Sequence, residues 1–367
     1  ALAELLLSGV TTLVDLSSPF EGWEETLLDS GIRAFVAPCF RDARWFTTNG
    51  HSLEYDWNYE AGQRAFSTAR EIVESAVRHP SGRLSAVVSP SQVDTCSEAL
   101  LRDSHAFAQD HNLSWTIHAA QSVTEFQEMQ HRHGMTSVQW LDSLGVLNER
   151  SVIAHCIFLD HHPWLHWTSR KDLELLADCE STVAHCPTVF SRRGIALNTF
   201  GAYLDHGIRM SVGTDTYPHN MLDECRTAVM VARVIGQSVT DLDCIDVFNA
   251  ATVAGADALN RSDIGRLAVG CKADFSTIDL TSPSVRPVGE PLRSLITVAG
   301  SRPVTDVFVH GEQVVSNGDV LNIDFELELT RLQVAQQNML NVVSEKDWDN
   351  RSAVELAPLM LTTVESI

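Results

Sequence analysis

Residues Ser151–Cys156 read SVIAHC, and residues Ser181–Cys186 read STVAHC. Each is a short run of β-favouring residues that ends in histidine and cysteine. A strand with one face in water alternates polar and apolar residues. These runs are apolar on both faces, as strands of a covered parallel sheet are. TTLVDL, IRAFVAP, LSAVVSP, LSWTIHA and IRMSVGTD read the same way. Amphipathic stretches at Tyr59–Arg78, Cys96–His111, Val123–Leu144 and Leu173–Cys179 lie between them. Strand and helix in alternation predict an α/β fold with parallel strands. Seven such units at fairly even spacing predict a closed TIM-type β/α barrel rather than an open doubly wound sheet.

The pattern changes near Ser262. DIGRLAVGCKADFSTIDL and RPVTDVFVHGEQVVSNGDV alternate by two, with glycine turns between. They predict a small antiparallel unit. The expected organisation is a barrel over residues 1–261, a small β subdomain over 262–322 and a helical tail over 323–367.

The formal net charge of −22 opposes binding to nucleic acid or to an anionic membrane, which need clustered Lys and Arg. No apolar run is long enough to span a bilayer. The eight cysteines form no CxxC pair and no disulfide-like rhythm, so a reducing, cytoplasmic location is expected. No GxGxxG follows a strand and no P-loop motif occurs, which leaves nucleotide-binding readings weak. A small-molecule substrate and a homo-oligomeric assembly are expected.

In a β/α barrel the active site lies at the C-terminal strand ends. Four predicted strands end there in metal-binding residue types: His118, His155, His185 and Asp215. A single histidine at a strand end is more often simply hydrogen-bonded. Four tips in agreement point to a shared pocket. Imidazoles with a carboxylate suit one divalent first-row metal, with zinc the default and iron, cobalt or manganese as alternatives. Such a metal lowers the pKa of bound water to about 7. His219, in the loop after the last strand, is placed to touch substrate. Arg41–Trp57 is unusually aromatic for a loop and reads equally as a lid or as rim packing.

These residues resemble a family. VIAHC, VAHCPTVFSRRG and VGTDTYPHNMLDECR look like the last strands of the amidohydrolase superfamily, in its cytosine-deaminase and triazine-hydrolase branch. NAATVAGADALNRSDIGRLAVGCKADFSTIDL resembles that branch's return into its small β-sandwich. The resemblance implies a distorted barrel, one or two metals and hydrolysis of C–N, C–Cl or related bonds. It implies His118 as a metal ligand, Asp215 as a ligand or proton acceptor and His155 as a catalytic group that orients or polarises. It implies that His185 lines the substrate pocket.

Two departures follow. The family's His-x-His on the first strand is absent and would precede Ala1. With two ligands alone the site would hold metal poorly, so either the sequence is a fragment or the protein has lost half of its metal ligands. Second, the branch's deaminases carry HxxE where this chain has His118 and Gln121. An amide positions a carbonyl or a water but shuttles no proton near neutrality. The expected activity is metal-dependent hydrolysis of a small amide, carbamate, urea or thiocarbamate by an activated water. The alternatives are a deaminase or dechlorinase of a nitrogen heterocycle, which Gln121 disfavours, and an inactive homologue.

Overall fold

The computed structural model describes residues 1–283, 285–300 and 303–361. Fifteen strands are found among them: β1 Thr12–Asp15, β2 Arg33–Val36, β3 Cys39–Phe40, β4 Ala43–Phe46, β5 Glu54–Trp57, β6 Leu84–Ala86, β7 Ser89–Pro90, β8 Trp115–Ala119, β9 Ser151–His155, β10 Thr182–His185, β11 Arg209–Val212, β12 Phe275–Ile278, β13 Val304–Val309, β14 Glu312–Ser316 and β15 Asp319–Val320. The predicted parallel strands are β1, β2, β6 with β7, β8, β9, β10 and β11.

They pair in chain order. β1, β2 and β6 form one parallel ladder, and β8 to β11 form another. The bridges Val88↔Trp115 and Gln92↔His118 join the two. Among the described residues no ladder connects β11 to β1. The strands are buried for the reason their sequences suggest. All of β2 is enclosed, and Ile117, Ile153 and Val183 are fully covered. Burying apolar side chains on both faces stabilises such a strand by about 25 cal/mol for each Å² removed from water.

Register sets the height of the strand tips. His118 pairs with Ala154 and Ala119 with His155. Ala184 also pairs with Ala154, so His185 stands level with His155. His185 in turn pairs with Val212, and Asp215 follows three residues on. Side chains from four sequence-distant segments thereby reach one end of the sheet.

Two stretches differ from expectation. Val123–Leu144 is two helices, Val123–His133 and Ser137–Ser143. Gly134 ends the first at φ +66°, a conformation glycine adopts without Cβ strain, and Thr136 caps the second. Arg41–Trp57 contains an antiparallel hairpin, with Ala43 opposite Trp57 and Phe46 opposite Glu54. Its turn is built by Thr47 Oγ1, which accepts the Gly50 N–H, and Asn49 Oδ1, which accepts the His51 and Ser52 N–H groups. Such side-chain turns outweigh the reading of this aromatic run as a loop.

β12 to β15 form an antiparallel sheet in chain order. A buried ion pair fastens it to the parallel strands. Arg33 donates to both Asp274 oxygens, at 2.6 and 3.0 Å, and to the Gly82 carbonyl at 2.7 Å. Asp274 also accepts the His310 N–H. Helix Phe325–Asn341 follows the sheet and buries no residue.

Candidate active site

His118 is fixed from two sides. Its backbone N–H and its Nδ1–H both donate to the Ser91 carbonyl, and its own carbonyl accepts the Val93 N–H. A carbonyl only accepts, so the proton sits on Nδ1 and the lone pair on Nε2. That is the arrangement of a metal-ligating histidine held by a backbone partner. The ring opens on a cavity of about 220 Å³, lined also by Leu16, Ser18, Cys39, Arg41, Ser91 and Gln92.

The His155 ring lies 5.2 Å from that of His118 and 4.8 Å from Phe190. His155 holds φ +78°, a strained conformation for a residue with a Cβ. Burial, with His118, His185 and Arg193 nearby, holds its pKa well below the usual histidine value, so the ring is neutral. Burial lowers His185 to about 4. The Nδ1 atoms of both rings are buried without a partner. Asp215, at φ +56°, ends the segment after β11. Burial raises its pKa, and His118, Arg193 and His219 oppose that rise. His219 shares a 3.0 Å hydrogen bond with Thr214 Oγ1, and burial lowers its pKa.

His118, His155, His185, Asp215 and His219 therefore share one electrostatic neighbourhood. Only His118 among them lines the 220 Å³ cavity. Among the described residues no three His, Cys, Asp or Glu side chains form a group able to hold a metal. The donors fit a divalent cation in kind, through the free Nε2 of His118 and the Asp215 carboxylate. They fall short in number of the three or four protein ligands usual for zinc.

Gln121 has a buried Nε2 with no partner. Its backbone N–H is held by Glu125, four residues further along the chain. Glu125 is 1% exposed. Its Oε1 accepts the Ala120 N–H at 2.6 Å and the Ser137 hydroxyl at 2.5 Å, and its Oε2 accepts the Gln121 N–H at 3.1 Å. Burial and the charge of Asp94 push its pKa up to about 8 although three donors pull the other way. Ala120 sits at φ +53°, so Glu125 braces a strained turn directly after His118. The sequence held a signal for this. Ser122-x-x-Glu125 matches a capping box, in which the glutamate turns back toward the chain before the helix. Here it reaches past Ser122 to the two preceding amides.

The amidohydrolase family model matches residues 1–314. A 5-methylthioadenosine/S-adenosylhomocysteine deaminase of Pyrococcus furiosus is 28% identical over 329 residues, 89% of this chain and 73% of that protein. A 5'-deoxyadenosine deaminase of Methanopyrus kandleri is 26% identical over 328 residues, 88% of this chain and 71% of that protein. An adenosine deaminase from Xanthomonas campestris with bound zinc shares the fold at TM-score 0.81 and 24% identity, covering 93% of this chain and 74% of that one. A mutant atrazine chlorohydrolase from Arthrobacter aurescens, complexed with zinc and atraton, matches at TM-score 0.76 and 21% identity over 91% and 76% of the two chains. The chain belongs to the amidohydrolase family. It is a hydrolase of the class that acts on carbon–nitrogen bonds other than peptide bonds.

Proposed function

We propose that this chain hydrolyses a small amide, carbamate, urea or thiocarbamate with the help of one divalent cation, zinc by default. The observation that carries the reading is the His118 ring, whose Nδ1–H is tied to the Ser91 carbonyl and whose Nε2 is left free. His118 and Asp215 would hold the cation. When bound, it supplies Lewis acidity and makes a water molecule a stronger acid.

The chain's own residues supply the rest. Asp215 accepts the proton of the attacking water, a task its raised pKa suits. His155, kept neutral, donates a ring N–H to the oxyanion that develops on the substrate carbonyl. Gln121 orients that carbonyl through its unpartnered Nε2, and His185 and His219 contact the rest of the substrate.

The proposed architecture is a distorted TIM-type barrel over residues 1–261, with the seven paired strands as seven of its eight. A further strand would fit between β11 and β1, and the family's His-x-His pair would lie on it. The β-sandwich portion is assigned to residues 262–322 and the tail to 323–367. All eight cysteines are free, which supports the cytoplasm as its compartment. No helix among the described residues is long and apolar enough to cross a membrane. A homo-oligomer is proposed from exposed apolar residues such as Met230 and Val234.

The test is metal analysis joined to a hydrolysis screen over the four substrate classes. Close to one cation per chain is expected, with activity abolished in His118→Ala and in Asp215→Ala. Full metal content in the double variant would overturn the ligand assignment.

The names of the relatives favour a second reading, hydrolytic deamination of a purine-type heterocycle. Gln121 opposes it, because a side-chain amide does not act as a general acid or base near neutrality. Ammonia release from adenosine-like nucleosides by the unmodified protein would establish this reading. Its appearance only in Gln121→Glu would establish the first.

A further inference from the structure

Asp94 is fully buried, and no step above uses it. Its Oδ2 accepts the Trp45 indole N–H at 2.9 Å and the Tyr55 hydroxyl at 2.8 Å. Those donors stand on the two strands of the β4–β5 hairpin. The backbone carbonyl of Asp94 accepts Arg132 Nη2 at 2.6 Å. The same guanidinium lies over the rings of Tyr55 and Trp57, at 4.8 and 5.1 Å, and its Nε bonds to Glu128 at 2.7 Å. Asp94 and Arg132 thus clamp the hairpin from below.

The segment that carries Asp94 also grips His118. Ser91 accepts both His118 donors, Gln92 bridges to His118 along the sheet, and Val93 donates to the His118 carbonyl. One residue past Asp94, the Thr95 carbonyl accepts the Asp42 and Ala43 N–H groups at the root of the hairpin. Arg41, just before that root, lines the His118 cavity together with Ser91 and Gln92. Hairpin, cavity rim and imidazole therefore meet in one six-residue segment, Ser91–Cys96, with a buried carboxylate at its centre.

We propose that Asp94 is a positioning residue that holds the β4–β5 hairpin and the His118 imidazole in a fixed relation. It touches no substrate. It acts by fixing Trp45 and Tyr55 to the segment whose carbonyl sets the His118 tautomer. A hairpin displaced from Asp94 loosens Ser91–Val93 and frees the His118 ring to turn. The role needs an acceptor oxygen in the place of Oδ2. Asparagine provides one, and alanine does not.

The effect on turnover rests on the hydrolase reading, but the positioning itself does not. The deciding experiment is therefore hydrogen exchange on the full chain, without substrate or added metal. Asp94→Ala is expected to speed amide exchange about tenfold or more over residues 43–57 and measurably over 115–121, and to leave 304–316 unchanged, since one lost buried hydrogen bond is worth roughly that factor. Asp94→Asn is expected to exchange like the parent protein. Tyr55→Phe, which removes one donor and keeps the ring, is expected to loosen 43–57 alone and stands in should Asp94→Ala fail to fold. Where a substrate is found, Tyr55→Phe should raise KM, and Asp94→Ala should lower kcat as well. Unchanged exchange over 43–57 in Tyr55→Phe, or exchange in Asp94→Asn as fast as in Asp94→Ala, would overturn the proposal. So would loosening of 43–57 in Asp94→Ala with 115–121 unmoved.

Discussion

Glu125 shows how one side chain can serve structure and electrostatics at once. Three donors hold its oxygens, yet burial and Asp94 raise its pKa to about 8, far above the ordinary 4.5. The folded protein therefore binds a proton there that the unfolded chain releases at lower pH. Stability from this group is fully present below the unfolded pKa and falls as pH rises through about 8. Glu125→Gln keeps one acceptor oxygen, enough for either the Ala120 or the Gln121 amide, and removes the titration. It is expected to flatten the fall in Tm between pH 5 and 8, read by thermal melts across that range. An unchanged pH profile in the variant would assign the slope to other groups. The sequence offered the residue types at His118, His155, His185 and Asp215, because strand ends concentrate polar groups. It gave no sign that Ser91 would fix the His118 tautomer. That contact spans 27 residues and depends on which strands are neighbours.

At the scale of elements, the parallel strands were legible, since an apolar run on both faces has one common use. The hairpin was not, because its aromatic residues face Asp94 and Arg132, which no local pattern reveals. Nor was the fastening of the small sheet. The Arg33 and Asp274 side chains are each 1% exposed and stand 241 positions apart. A buried charge without its partner is costly. Arg33→Met or Asp274→Leu alone is expected to destabilise by about 3–5 kcal/mol, whereas the double replacement, which leaves no buried charge, should cost far less. Urea unfolding of the three variants measures this. A loss in the double variant equal to the sum of the two single losses would mean that the charges are not coupled.

On the scale of the whole molecule, a net charge of −22 coexists with apolar exposure along helix Met221–Ile235, where Val234 is 74% and Met230 50% exposed. Self-repulsion opposes association, and covering these side chains favours it. Val234→Lys with Met230→Lys is expected to shift the protein toward the monomer, measured by light scattering after size exclusion. An assembly unaltered by both changes would place the contact elsewhere.

Sequence by itself determined the strand and helix alternation, the change to an antiparallel unit and the residue types at the strand tips. Each follows from local periodicity and from where a chain can afford a polar group. Only the tertiary structure decided which tips share a field, which carbonyl orients His118, and that two buried carboxylates stand behind the site. Those depend on register and on contacts between distant segments, and a short-range pattern carries no record of them.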